Sequence, residues 1–365
     1  MAAYPKNKIL VGVFILSYLF SACQTSPNLE LTATELPPSP EITEISSQTP
    51  EPTQTPFPTR IPQIETNCPP GGWSQFTEKD GLVDDWPRTL AVDHDGRVYV
   101  GYLIGNISYL QNGIWTTFPE TPGSPKYEVN VIIPLENGDL WVGTQGGYIA
   151  LYHGGDWKMF PSILVDGKNT TVYDMEIAPD GRVWAATWDG VFQRQGDDWQ
   201  PLSKPVPDDF QFSGKSLYLD NEGGLWVGAR RGLYYYKDGV WKPSVSAGTG
   251  HQNIENIEVD RSGNIWFGGM GSIFIFDGTT WTRVFPGEGI SGTAGGSVSV
   301  SDLAVGPDGR VWTAYSGLAA VFDNGTWQPV FPEVGSKENK IYQVDLDPWG
   351  AAWFVSNEGI LCYNP

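Results

Sequence analysis

Two arginines and two tryptophans of this 365-residue chain have the types and spacing to bind a ligand. Arg230 and Arg231 are adjacent in "ARRG", where they could bind an anion through bidentate hydrogen bonds. One of them could instead pair with Asp189 from the preceding repeat, which would add little stability at an exposed position. Trp188 in "TWDG" and Trp86 in "DDWPR" could stack on a sugar ring or hold a peptide, or simply pack on a neighbouring repeat.

Residues for catalysis are fewer. The three histidines are His94, His153 and His251. We expect the first two in short structural turns, so too few histidines remain to form a metal centre or the paired histidines of a lyase. We therefore expect no metal and no cofactor. Two carboxylate pairs, Asp84-Asp85 and Asp208-Asp209, could do the acid and base work of a glycosidase, although adjacent side chains rarely point at one bond.

A repeat positions these residues. An aromatic residue after a glycine turn recurs every 40 to 46 residues, at Tyr99, Trp141, Trp184, Trp226, Trp266, Trp312 and Trp353. A second tryptophan follows 15 or 16 residues later, at Trp115, Trp157, Trp199, Trp241, Trp281 and Trp327. Short apolar runs with period-2 alternation lie between turn dipeptides such as Asp95-Gly96, as in β-hairpins. The pattern predicts an all-β chain: one seven-bladed β-propeller with four-stranded antiparallel blades.

The seventh repeat ends at Pro365, before its fourth strand. Trp73 lies 42 residues before Trp115, so residues 71–77 can supply that strand and close the ring. Closure removes the unpaired strand edges of an open ring. Cys68 and Cys362 then fall in one blade, either as a disulfide or as two free thiols.

Three segments resemble the two-component regulator propeller repeat: "LDNEGGLWVGARRGLYYY", "EVDRSGNIWFGG" and "FTEKDGLVDDWPRTLAVDHDG". The resemblance covers residues 71–365. It implies a propeller of the type found in extracellular sensor regions of hybrid histidine kinases and in lone secreted proteins, with a role in ligand sensing. It supplies no catalytic motif. Because no kinase follows the repeats, phosphorelay signalling is not implied.

Loops divide between the two ends of such a propeller. The turns between second and third strands share one face with the crossings between blades, and this face carries long, dissimilar loops. Variable loops on a rigid scaffold are common binding sites. We predict a ligand-binding site on this loop-rich face that contains Trp86, Trp188, Asp189, Arg230, Arg231 and Tyr315, the last from the turn "YSG".

The N-terminal region predicts export. Residues 1–22 have the basic, apolar and small-residue order of a signal peptide, and "LFSAC" resembles the lipobox of bacterial lipoproteins, which implies a lipid on Cys23. The alternative is a plain signal peptide with an incidental cysteine. Residues 23–67 are rich in proline and threonine, which predicts a disordered stalk with a reach on the order of 100 Å. The propeller is expected at 68–365.

The formal net charge of −20 argues against nucleic acid as a partner because phosphates are repelled. Together these features predict a monomeric, lipid-anchored propeller on the extracytoplasmic side of a bacterial envelope. It would bind a glycan, a peptide or an envelope protein without catalysis. Two alternatives stay open: a polysaccharide-active hydrolase or lyase, and an envelope scaffold.

Overall fold

The structure is a computed structural model that describes residues 67–203, 212–230, 232–242, 253–269, 272–284, 299–315, 317–336 and 339–365. Several sequence predictions lie outside these residues. They are the signal peptide, the lipid on Cys23, the stalk up to residue 66, the pair Asp208-Asp209, the third histidine His251, and the site residue Arg231.

The described residues form β-strands and one short 3-10 turn at Glu78–Asp80. In the first half of the chain the strands are β1 (Gly72–Phe76), β2 (Pro87–Val92), β3 (Val98–Tyr102), β4 (Ile107–Gln111), β5 (Ile114–Thr117), β6 (Val129–Pro134), β7 (Leu140–Thr144), β8 (Ile149–His153), β9 (Asp156–Met159), β10 (Leu164–Val165), β11 (Lys168–Asn169), β12 (Val172–Ile177), β13 (Val183–Thr187), β14 (Gly190–Gln195) and β15 (Asp198–Pro201). In the second half they are β16 (Gly214–Leu219), β17 (Leu225–Ala229), β18 (Gly232–Lys237), β19 (Val240–Lys242), β20 (Ile254–Val259), β21 (Ile265–Gly269), β22 (Ser272–Phe276), β23 (Trp281–Val284), β24 (Val300–Val305), β25 (Val311–Tyr315), β26 (Leu318–Asp323), β27 (Thr326–Val330), β28 (Ile341–Leu346), β29 (Ala352–Ser356) and β30 (Gly359–Asn364).

These strands build seven four-stranded antiparallel sheets, and β10 with β11 forms a small hairpin in one crossing. The predicted seven-bladed propeller is confirmed. The first strand of each blade is innermost, and neighbouring inner strands are in contact around the ring, including β28 against β2. The inner strands are β2, β6, β12, β16, β20, β24 and β28. They surround a central channel.

Blade 7 takes strands from both ends of the described chain. Its order is β1-β30-β29-β28, and β1 pairs with β30 from Gly72 opposite Asn364 to Phe76 opposite Ile360. A disulfide joins Cys68 to Cys362 with 5.9 Å between their Cα atoms, so of the two sequence interpretations the structure has the bridge. Both cysteines are buried in the cluster that connects blade 7 to blade 1.

Aspartates hold the hairpin turns between first and second strands. The Asp260 carboxylate accepts hydrogen bonds from the backbone N–H of Ser262 and Asn264, and from the indole N–H of Trp266. Asp347 bonds the backbone of its own turn and the indole of Trp353 in the same way. The repeated Asp-x-x-Gly-x-x-Trp spacing is therefore structural, since each aspartate satisfies turn donors that would otherwise lack partners.

The aromatic residues that recur in the repeat, called the anchors below, pack between blades. Trp312 and Trp353 are among the largest fully buried side chains. Trp349 packs on Gly96 of blade 1, where a Cβ would lie 2.1 Å from its ring. Only glycine fits there, because Gly96 also has a φ of +73°. This contact joins the last blade to the first on the face of the short turns.

Candidate binding site at the channel mouth

Every inner strand carries a β-bulge near its start. In blade 3, Val172 pairs with Thr187 and Asp174 with Ala186, so Tyr173 is an extra residue without a ladder partner. The same shift occurs in the other six blades. The seven bulge residues are Arg88, Asn130, Tyr173, Lys215, Glu255, Ser301 and Tyr342. Bulges re-aim side chains and are common beside functional sites.

The bulge residues form one ring. Inner strands of a propeller run in the same direction, so their first residues lie at the end of the channel where the crossings arrive, on the loop-rich face. All seven bulge residues line the central cavity, whose volume is 390 Å³. They comprise two cations, one anion, two tyrosines, one amide and one hydroxyl, whereas the fourth residue of every inner strand is aliphatic or methionine. The fold constrains the fourth residue and leaves the ring free to vary.

Blades 3 to 5 place a cation against aromatic rings. The ammonium of Lys215 lies 3.6 Å from the ring centroid of Tyr173 and 5.9 Å from that of Trp188. Burial lowers the pKa of Lys215, the Glu255 charge opposes this, and Arg230 adds to the lowering. Among the described residues no carboxylate lies within ion-pair distance of Lys215. This half-buried cation can therefore bind an anionic or polar group of a ligand.

Blades 7 and 1 form a second cleft at the mouth. A cavity of 280 Å³ lies between Trp86, Arg88, Tyr342 and Asn357. The Trp86 side chain is 64% exposed, and Tyr342 is also exposed. Arg88 is held in place by Glu128, whose carboxylate accepts a hydrogen bond of 2.5 Å from Nε. Two exposed rings and a fixed guanidinium can hold a flat ligand that bears polar groups.

Below the mouth the channel is acidic. Asp174 accepts the backbone N–H of Leu217, Asp302 that of Val344, and Asp345 that of Val92, at 2.7, 3.0 and 2.7 Å. Each bond runs from one inner strand to the next, so these carboxyls tie neighbouring blades together. Burial nevertheless raises the pKa of Asp302 to about 8 and those of Asp174 and Asp345 to about 6.

Two more carboxyls lie deeper in the inner strands. Burial, and then the charge of Asp174, raises the pKa of Glu176 to about 8. Burial and the charges of the other four channel carboxyls, first Asp302, raise the pKa of Glu258 well above its usual range. The channel thus concentrates acidic groups that repel one another when ionised.

The predicted site residues separate into two groups. Trp188, Asp189 and Arg230 lie near the Tyr173 and Lys215 part of the ring. The Trp188 ring is close to the Lys215 ammonium, the charge of Asp189 influences the pKa of Tyr173, and that of Arg230 influences the pKa of Lys215. No ion pair joins Arg230 to Asp189 in the part of the chain that the structure describes. Trp86 lies in the second cleft. Whether these residues bind a ligand stays a prediction.

Tyr315 is a correction. It was expected in a loop, but it is the last residue of β25, a strand whose residues are all buried, and it is 1% exposed. Its hydroxyl has no partner among the described residues, and burial raises its pKa to about 12. Sequence reasoning also missed the bulge ring. The sequence contained a signal for the bulges. The inner strands are apolar at positions 1, 4 and 6, and the spacing of three between positions 1 and 4 breaks the period of two of a regular strand.

Within the described residues, no group of three or more His, Cys, Asp or Glu side chains is arranged to hold a metal ion. No helix of that part has the length and hydropathy for a membrane span. The fold and the ring define a seven-bladed propeller with a polar channel mouth.

Neither a protein-family model nor a curated protein matches the sequence. Solved propellers do. An inactive virginiamycin B lyase from Staphylococcus aureus with quinupristin matches at TM-score 0.63 and 13% identity, over 80% of this chain and 99% of that one. The extracellular domain of a putative hybrid two-component system from B. thetaiotaomicron matches at TM-score 0.63 and 18% identity, over 82% of this chain and 42% of the other.

YCF48 bound to D1 peptide matches at TM-score 0.60 and 15% identity, over 80% of this chain and 95% of that one. At these identities the likeness is one of fold. Proteins named as a lyase, as an extracellular domain of a two-component system and as a peptide-bound protein share the architecture, so function must be argued from the site.

Proposed function

We propose that this chain is a ligand-binding or sensing propeller that acts without catalysis and takes its ligand at the channel mouth on the loop-rich face. The observation that carries the proposal is the bulge ring. In each of the seven blades the bulge places one residue at the same position of the inner strand, and these residues vary from blade to blade. A feature needed only for folding would repeat its chemistry, as the turn aspartates do.

The ligand class follows from the two clefts. Tyr173, Trp188 and Lys215 on one side and Trp86 with Tyr342 on the other offer ring faces, cations and amides. Such surfaces suit a glycan or a peptide, which present flat apolar faces between polar groups. An envelope protein that offers such a segment would fit the same mouth.

Export and anchoring complete the proposal. The signal peptide at 1–22, the lipid on Cys23 and the stalk at 23–67 would hold the propeller away from a bacterial membrane. The buried disulfide between Cys68 and Cys362 supports an oxidising compartment outside the cytoplasm. The two-component regulator propeller resemblance supports sensing.

The test is a glycan and peptide array with the purified chain, repeated with Tyr173→Ala, Trp188→Ala and Lys215→Gln. We expect each substitution to weaken the same hit at least about tenfold, the effect of losing one aromatic or charged contact. Lys237→Gln is the matched control, since Lys237 pairs with Glu222 beside the opposite face. Equal binding by all variants would show that the mouth is not the site.

An enzymatic alternative rests on the channel carboxyls. A polysaccharide hydrolase or lyase needs a protonated acid near neutral pH, and the raised pKa of Asp302, about 8, would provide one. Incubation with polysaccharides and assay of new chain ends tests it. Turnover that disappears in Asp302→Asn would favour the enzyme over the binding module.

A further inference from the structure

A second row of residues accompanies the bulge ring at the mouth. In every blade the first residue of the inner strand pairs with the last residue of the second strand, so the next residue begins a turn beside the bulge. This turn residue follows the bulge residue by 15 positions in each blade. The structure describes five of these residues, which we call the turn row: Leu103, Gln145, Trp188, Arg230 and Asn357.

Backbone hydrogen bonds hold the turn row against the inner strands. The N–H of Trp188 donates to the carbonyl of Thr171 at 3.2 Å, and that of Arg230 donates to the carbonyl of Ser213 at 3.3 Å. The same bond occurs in blades 2 and 7. Each acceptor lies two positions before the bulge residue of its blade. These blades therefore present a bulge residue and a turn residue as a fixed pair.

Three neighbouring blades carry pairs in which both residues have the same chemistry. Blade 2 has two amides, blade 3 two aromatic rings and blade 4 two cations. The pairs are Asn130 with Gln145, Tyr173 with Trp188, and Lys215 with Arg230. Blades 1 and 7 hold pairs of mixed chemistry at the same positions, so blade packing does not require matched pairs. These six residues form one sector of the mouth, in the order amide, aromatic ring, cation.

Blades 2 and 3 are joined at this sector. The amide N–H of Asn130 donates to the carbonyl of Val172 at 2.9 Å, and the hydroxyl of Thr171 donates to the carbonyl of Gln145 at 3.2 Å. On the other side, the blade 4 ammonium lies near both rings of blade 3. The two rings thus lie between the amides and the cations.

The rings and cations of the sector are accessible. Trp188 is 39% exposed, so part of its ring is open to a ligand. Arg230 is exposed and Lys215 is half-buried. Within the residues that the structure describes, neither cation has a carboxylate at ion-pair distance. Two such cations can bind an external carboxylate through charge-assisted hydrogen bonds.

Two carboxylates of the protein lie near this sector. The charge of Glu255 acts on Lys215, and that of Asp189 acts on Tyr173. The Glu255 carboxylate accepts a hydrogen bond from the amide of Asn253. These two charges offset those of the two cations. A ligand carboxylate must therefore be recognised by direct contact with the cations, because the sector has no strong positive field.

A pyranose that bears a carboxylate matches this order of groups. The C–H face of a sugar ring stacks on an aromatic ring, and its polar groups project from the edge of the ring. With the sugar on Trp188, its carboxylate would face the cations of blade 4 and its hydroxyls the amides of blade 2. A peptide with an acidic side chain offers the carboxylate but no rigid ring with polar groups on opposite edges.

We infer that the mouth binds an acidic glycan, with a uronic acid residue on Trp188 and its carboxylate on Lys215 and Arg230. This inference rests on the proposed function, because it names the ligand class of the same site.

The experiment is calorimetric titration of the full chain, at constant ionic strength, with short oligosaccharides of galacturonic, mannuronic and glucuronic acid. The methyl ester of each keeps the sugar ring and removes the charge. We expect at least one acid to bind saturably. Its ester should bind at least about tenfold more weakly, the effect of losing a charge-assisted hydrogen bond.

Four variants locate the contacts. Lys215→Gln and Arg230→Gln should each weaken binding of the acid at least about tenfold and leave that of the ester unchanged, which separates a charge contact from loss of structure. Trp188→Ala should weaken acid and ester alike, since it removes the stacking surface. Lys126→Gln is the matched control: it changes an exposed lysine on the same face, outside the cavity, and should bind as the parent does.

Binding of none of the acids, or equal affinity for an acid and its ester, would overturn the inference, as would unchanged acid binding in both Lys215→Gln and Arg230→Gln. A neutral glycan whose binding requires Trp188 would then leave the proposed function standing and refute only the carboxylate contact. Triglutamate that binds through the same cations while no uronate does would assign the site to a peptide. If no ligand of any class is sensitive to Trp188→Ala or Lys215→Gln, both proposals fail.

Discussion

The two faces of the propeller are built from the same blades but differ in their loops: one face repeats the same turn, and the other varies. The face of the short turns repeats one device, an aspartate that bonds its own turn and often an anchor ring. The loop-rich face carries eight of the eleven large apolar side chains that are exposed among the described residues: Trp86, Leu103, Ile104, Tyr127, Leu164, Trp188, Phe331 and Tyr342. Repetition marks the face that stabilises the fold, and variation marks the face that is free to bind.

The six residues of each inner strand include both positions that repeat among the blades and a position that varies. Their first, fourth and sixth residues pack into the blades, whereas the second residue is placed in the bulge and varies among the blades. The third and fifth positions supply carboxyls that tie one blade to the next. One strand thus serves packing, ring closure and the candidate site, and the predictions below separate these roles.

The largest effect is expected from deleting residues 71–79, which removes β1 from blade 7. The edge of β30 would lose its partner, and the nearby disulfide would be strained or lost. The bridge alone contributes about 2–5 kcal/mol in a typical domain. We expect loss of cooperative thermal unfolding by calorimetry. Deleting residues 40–48 of the predicted stalk is the control and should leave Tm unchanged; an unchanged Tm in both would refute closure by β1.

A single substitution on each face tests the contrast directly. Asp347→Ala leaves the N–H groups of Trp349, Ala351 and Trp353 without their acceptor, which should cost about 2–4 kcal/mol. Trp86→Ala, on the loop-rich face, should change stability by less than about 0.5 kcal/mol because that ring is exposed. Urea unfolding measures both. Similar losses would mean that the two faces contribute equally to the fold.

Much of this architecture was predictable from the sequence. Thirteen tryptophan and tyrosine anchors at fixed spacing determine the blade number, because each blade needs the same buried ring at the same place. The strand shared by the two ends and the placement of Cys68 and Cys362 in one blade follow from counting strands, whereas the count did not decide between a disulfide and two free thiols. Repetition makes such features visible in one sequence, since each blade serves as a control for the others.

The candidate site was predictable only in part. Trp188, Asp189 and Arg230 were proposed from the sequence because they depart from the repeat in a turn, and their role stays a prediction. The ring residues Tyr173 and Lys215 were missed, because a bulge residue looks like an ordinary strand residue until pairing partners are known. Tyr315 was misplaced because the segment taken as a turn begins with the last residue of strand β25, and every residue of that strand is buried.

A smaller effect is expected from pH. The pKa values of Asp302 and Glu176, about 8, and of Asp174 and Asp345, about 6, exceed the unfolded values near 4. The native state therefore binds more protons than the unfolded state between about pH 4 and 8, so stability should fall as pH rises through this window. Turn carboxyls such as Asp260, whose pKa is lowered, act in the opposite sense only below about pH 4.

Urea midpoints at pH 5 and pH 8 test this difference. Asp302→Asn keeps an acceptor for the Val344 N–H and removes the titration, so its midpoint should vary less with pH than that of the parent. Asp180→Asn, on an exposed turn, is the control and should keep the full dependence. A midpoint that rises from pH 5 to pH 8 would contradict the raised pKa values in the channel.

The smallest effect on stability is expected at Arg230, where the sequence first suggested a function. Its side chain is exposed and makes no ion pair within the described part of the chain, so Arg230→Ala should change the unfolding free energy by less than about 0.5 kcal/mol. Removing its charge should instead raise the pKa of Lys215, because the two cations repel each other. The pKa of Lys215, followed by NMR of the side-chain amine, measures this coupling, and Arg261→Ala on the opposite face is the matched control. A cation that influences the ring but not the fold belongs to the variable face, whereas a clear loss of stability would make Arg230 part of the scaffold.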